Sequence, residues 1–194
     1  MTVCFLFCVQ VFLAPLLSDA QTNEIFVDQL VRLEKMTGTE KVELIDDVGK
    51  NLRLLQKALS NQLIIGNNEA KCYAAYFIGE YRFSQSANNL AQVIALHEDF
   101  LRPNGRIWVW GQYPAMEALI KIGNPSIPAV IRNLAESDDA KVRELSLKVL
   151  YHIEGDKDIV QLRLQKALRT ETDLQKQARL QAALKNLDEI SFIK

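Results

Sequence analysis

The sequence is short of most residues that announce a chemistry. Three cysteines occur in 194 residues, and two of them, Cys4 and Cys8, lie in the first eight positions. If that segment is removed, Cys72 remains alone and no internal disulfide can form. There are two histidines, His97 and His152, and neither has a second His or Cys at metal-ligand spacing. No glycine-rich phosphate loop is present; Gly66-Asn67-Asn68 and Gly123-Asn124-Pro125 read as helix connections. No serine sits in a nucleophile-elbow pattern. Charge of either sign is not in excess: the formal net charge is −1. A nucleic-acid binder needs a basic surplus to displace phosphate counterions, so that class is excluded as an expectation. Eight glycines and five prolines fall mostly between helical patterns.

The one long apolar run is at the start. Val3 to Leu17 is nearly all apolar but short for a bilayer span. Ser18-Asp19-Ala20 places small residues where a signal peptidase reads. Residues 1–20 are therefore expected to be a secretory signal peptide cut before Gln21, although no Lys or Arg precedes the run. Export to a periplasm or the exterior follows, with no stable membrane insertion after cleavage. Removing residues 1–20 takes one acidic residue, Asp19, and no basic one, which leaves the remaining charges balanced. Hydrophobic residues at 48% and charged residues at 24% fit a single globular domain rather than a disordered chain.

The patterned part is helical. ALIKIG (118–123) closes a helix at Gly123, since glycine takes the left-handed conformation a helix end needs. Pro125 and Pro128 sit in a first turn, where proline's missing N–H costs nothing. Ile127, Val130, Ile131 and Leu134 then mark one helix face. Glu136-Ser137-Asp138-Asp139 interrupts, and an Asp or Ser there can cap the next helix. That helix runs from about Ala140 to Ile153 on Val142, Leu145, Val149, Leu150 and Ile153. Copies recur at about 30–45 residues: Phe77 in AAYFIGEY, Leu119 in ALIKIG, Leu150 in VLYHIEG and Leu184 in AALKNL. Asn67 or Asn68 should cap a helix through about Tyr81, with Ser84 to Leu96 as its partner. Asp156 or Asp158 opens Ile159 to Leu168. Thr170-Glu171-Thr172-Asp173 resembles a capping box opening Leu174 to about Leu187. Residues 22–37 and 39–60 read as a first helix pair that caps the stack. Cys72, in KCYAAYFIGEY, reads as a small core hydrophobe.

Asp139-Ala140-Lys141-Val142-Arg143, following an IG-x-P-x-x-P helix pair, resembles the HEAT repeat in its short, HEAT-like (PBS-lyase HEAT-like) form. The resemblance spans roughly residues 61–190 and is most specific over 113–155. It implies an all-α fold: an armadillo-type α-solenoid of about five stacked antiparallel helix pairs. It also implies that Asp139 and Arg143 bond along the stack as a ladder. The first copy has Asn67 and Lys71 at those places; the last has Gln175 or Gln177 near the Arg position and Arg179 later.

One stretch, 98–112, breaks the period. It holds both tryptophans, Trp108 and Trp110, with Arg102 and Arg106 beside them and Tyr113 just after. Tryptophan and arginine are favoured at binding hot spots, and loops on rigid scaffolds carry recognition. The expected function is a non-enzymatic, exported protein-interaction scaffold, monomeric, without cofactor or metal. The partner-binding candidates are Arg102, Arg106, Trp108, Trp110 and Tyr113. Two other classes remain open. One is a carbohydrate or cell-wall binder stacking sugars on Trp108 and Trp110. The other is a lyase-type enzyme accessory, as the HEAT-like resemblance implies.

Overall fold

The computed structural model describes residues 52–97 and 113–187. Residues 1–51, and with them the expected signal peptide and most of the first helix pair, lie outside that range. Over the described residues the chain forms eight α-helices and no strand. They are α1 (Leu52–Ile65), α2 (Asn68–Glu80), α3 (Ala87–Gln92), α4 (Pro114–Ile122), α5 (Ile127–Glu136), α6 (Ala140–Glu154), α7 (Lys157–Thr170) and α8 (Leu174–Asn186). The 3-10 turns Ser84–Ser86 and Asn124–Ser126 lead into α3 and α5. The fold is all-α, as the periodicity predicts.

Side-chain caps set the helix starts. Asn67 Oδ1 accepts from the Ala70 N–H at 2.8 Å, and Asp139 Oδ1 from the Lys141 N–H at 2.7 Å. Asp156 accepts from the Asp158 and Ile159 N–H groups. Asp173 does the same for Gln175 and Lys176. Each cap satisfies N–H groups that the first turn leaves without an intrahelical partner. Thr170 is not part of the last cap. It is the final residue of α7, and its hydroxyl donates to the Ala167 carbonyl at 3.0 Å. Asp173 is the N-cap of α8.

Helix ends follow glycine in two different ways. Gly155 closes α6 in the left-handed region, φ 69° and ψ −3°. Gly123 closes α4 at φ 77° but ψ −140°, an extended conformation rather than the expected left-handed one. Helix α1 does not stop at residue 60. It continues through Leu63, which is buried, to Ile65.

The helices pack as two rows. In one row α1, α3, α5 and α8 follow one another; in the other α2, α4, α6 and α7 do. Across the rows α1 meets α2, α3 meets α4, α5 meets α6 and α7 meets α8. A strict alternation would set α7 beside α5 and α8 beside α6. The last pair is exchanged: α7 lies on α6 and α8 on α5. Polar contacts tie neighbours within a row. Asn133 on α5 donates to the Ala91 carbonyl of α3 at 2.8 Å. Arg163 on α7 pairs with Glu154 of α6 at 2.8 Å.

The core is centred on α2, whose residues from Cys72 to Gly79 are buried without a break. A helix apolar all round is one with neighbours on every side. Cys72 is fully buried, as its setting predicts. At Gly79 a Cβ would stand 2.8 Å from Ala118 Cα, so the glycine is what lets α2 and α4 approach. In the last copy the register differs from expectation. Leu180 and Leu187 are buried, whereas Leu184 is only half-buried.

Candidate functional site

Pro114 opens α4 at its first turn, where a missing N–H is harmless. This fixes Tyr113 just outside the helix, and its carbonyl accepts the Glu117 N–H at 3.1 Å. Tyr113 is half-buried. Its ring lies 5.1 Å from that of His97, centroid to centroid, at 59°. Residues 97 and 113 bound the segment 98–112, so its two anchors touch. Arg102, Arg106, Trp108 and Trp110 lie inside that segment and outside the described residues. Of the five partner-binding candidates, the structure places Tyr113 alone.

A third side chain closes on this pair. Lys141, at the start of α6, holds its ammonium 5.4 Å from the Tyr113 ring centre, within the reach of a cation–π attraction. The same ammonium meets Glu144 at 3.0 Å, and Glu144 meets Lys148 at 2.6 Å. The hydrogen bonds from Lys148 and then Lys141 hold the Glu144 carboxyl below its usual range. The Glu144 bond, with smaller help from Tyr113, raises Lys141. The base of the segment thus joins the end of the α3 region, the start of α4 and the start of α6.

One turn and two turns further along α4, on the same face, lie Glu117 and Lys121. Glu117 is buried and pairs with Lys121 at 2.9 Å. Lys121 also pairs with Glu80 of α2 and sits 5.5 Å from the Tyr76 ring centre. These contacts lock α4 to α2 beneath the Tyr113 pinch. The arrangement fixes Tyr113, the residue that follows 98–112, against α6 and α4. Among the described residues, no three His, Cys, Asp or Glu side chains gather as a metal cluster. None of the described helices is long and apolar enough to cross a membrane.

The repeat residues sit elsewhere, at the α5–α6 connection. Asp139 caps its own helix, and the Arg143 guanidinium donates to the Ser137 and Asp138 carbonyls, each at 2.8 Å. Those bonds stay inside one connection rather than running along the stack. The residue that arrives from a neighbouring helix is Arg179 of α8. It donates to the Glu136 carbonyl at 2.7 Å and pairs with Asp138. Beside it Lys176 pairs with Glu136 at 2.6 Å. Arg179 stands two residues beyond Gln177, the nearer repeat position, so its role follows from the packing of α8 on α5 and not from spacing.

Comparison with protein-family models, with curated proteins and with solved structures finds no match to this chain. Its reading rests on its own residues.

Proposed function

We propose that this chain is an exported, non-enzymatic protein-interaction scaffold, a short HEAT-like solenoid that presents residues 98–112 for recognition. Arg102, Arg106, Trp108, Trp110 and Tyr113 form the contact surface. The observation that supports it most is the contact between His97 and Tyr113 under Lys141. Anchors that touch bring both ends of the segment to one place on the packed helices, and loops on rigid scaffolds carry recognition. The two rows of helices fit a stacked-pair scaffold, and stacked pairs make extended binding faces. Export rests on the apolar run Val3 to Leu17 and the small residues Ser18 and Ala20.

The test has two arms. Mass spectrometry of the exported fraction should find a chain beginning at Gln21; an intracellular chain retaining Met1 removes the export reading. Residues 98–112 are then exchanged for a flexible linker of equal length, which the touching anchors permit, with helicity checked by circular dichroism. A protein partner bound by the native chain and lost by the exchanged one is expected. Equal binding by both sends recognition to the helix faces. An oligosaccharide bound only through Trp108 and Trp110 replaces the protein partner by a sugar.

A further inference from the structure

The far end of the two rows carries a face on which no other described helix packs. On α7, Arg163 marks the side that meets α6. On α8, Lys176 and Arg179 mark the side that meets α5. The opposite sides carry matching stripes at helical spacing. On α7 the stripe is Asp158, Leu162, Gln165 and Arg169; on α8 it is Leu174, Ala178, Gln181 and Lys185. Leu162 is 61% exposed and Leu174 81%. Asp158, Arg169 and Lys185 are exposed, and none has an ion-pair partner among the described residues.

We infer that this face docks a second copy of the same chain, two-fold and antiparallel. The stripes are self-complementary, which an isologous contact requires. Each ends basic, in Arg169 on α7 and Lys185 on α8; Asp158 opens the α7 stripe, and on α8 the acidic residue is the capping Asp173, just before Leu174. The three-residue link Glu171–Asp173 makes α7 and α8 antiparallel. Two two-fold arrangements exist, and both pair opposite charges. If α7 lies on α7 of the second copy, Asp158 meets Arg169 and Asp173 meets Lys185. If α7 lies on α8, Asp158 meets Lys185 and Arg169 meets Asp173. In both, Leu162 and Leu174 leave water. The near-zero net charge adds no general repulsion between copies. The face is small. A 14-residue helix is about 21 Å long, and two side by side cover roughly 400–500 Å², against the ~800 Å² per partner of a standard interface. The dimer is therefore weak and reversible. The inference is independent of what residues 98–112 recognise.

Sedimentation equilibrium of the full chain over micromolar to millimolar concentration tests it. The expected result is a mass rising from monomer to dimer. Leu162→Asp with Leu174→Asp should weaken association at least tenfold at unchanged helicity, since both leucines are exposed. Arg169→Glu and Lys185→Glu should each weaken it. Adding Asp158→Lys should restore it in one of those two backgrounds, and which one identifies the arrangement. A monomer at every concentration overturns the inference. So does a dimer indifferent to the leucine changes or to both reversals, or restored in neither background.

Discussion

Gly79 and Arg82 show how much rests on single backbone positions. Gly79 faces Ala118 so closely that any Cβ collides with backbone, which cannot swing aside as a side-chain tip can. Gly79→Ala should therefore destabilise by about 1–3 kcal/mol through overpacking, despite alanine's better helix propensity. A denaturant midpoint shifted upward would contradict the close approach of α2 and α4. Arg82 is the reverse case. It has φ 50°, in the region that favours glycine. The Arg82 N–H donates to the Gly79 carbonyl and the Phe83 N–H to the Ile78 carbonyl, which closes α2 doubly. That closure is usually made with glycine at this place. Arg82→Gly should relieve the Cβ strain and stabilise by roughly 1 kcal/mol, less the extra freedom of the unfolded chain. Equilibrium unfolding of this variant decides it; a clear loss of stability would mean that the arginine side chain contributes more than its backbone costs.

At the scale of elements, one clasp decides where α8 lies. The C-terminal carbonyls of α5 have no intrahelical N–H to accept. Arg179 supplies donors to them, and Lys176 neutralises Glu136. Arg179→Ala should cost about 1–3 kcal/mol, because half-buried carbonyls are left short of a donor. Amide exchange confined to α8 should report it. The clasp also depends on pH. The Lys176 bond lowers the pKa of Glu136, and the Lys176 backbone N–H lowers that of Asp173. A carboxyl depressed in the folded state binds its proton more readily when unfolded. Its contribution is complete above the ordinary carboxylate range near pH 4 and is lost as pH falls through the lower folded value. The α8 amides should keep their protection from pH 7 to about pH 5 and lose it as the pH falls below about 4, and Lys176→Met should flatten that profile; an unchanged slope in the variant would remove Glu136 from the account. Element ends were legible in the sequence where their chemistry is local. Asn67, Asp139 and Asp156 cap what they flank, and Gly123 stops α4. The clasp was not legible, because Arg179 reaches a helix some forty residues away, and no local period encodes which row α8 joins. The touching of His97 and Tyr113 was hidden for the same reason: the period breaks between them.

For the whole molecule, burial is graded along the rows, and stability should be graded with it. Helix α2 buries every residue from Cys72 to Gly79, and α4 buries Pro114 to Leu119. Helix α7 buries only Val160 and Leu164, and α8 only Leu180 and Ala183. The described helices meet mainly their near neighbours, and the end pair adds few buried groups to the shared core. Local opening is cheapest where few apolar groups are lost. Native-state hydrogen exchange should therefore show α2 and α4 exchanging last and α7 with α8 first, as one unit joined by their own contact. Leu164→Ala sharpens the test. Its cost, about 2–5 kcal/mol for a fully buried leucine, should exceed what α7 and α8 hold above their own opening. The α7 and α8 amides would then exchange freely while those of α2 keep their protection. Equal loss of protection in α2 would mean that the rows open as a single cooperative body, and that the exchanged last pair binds them together more tightly than its small buried face implies.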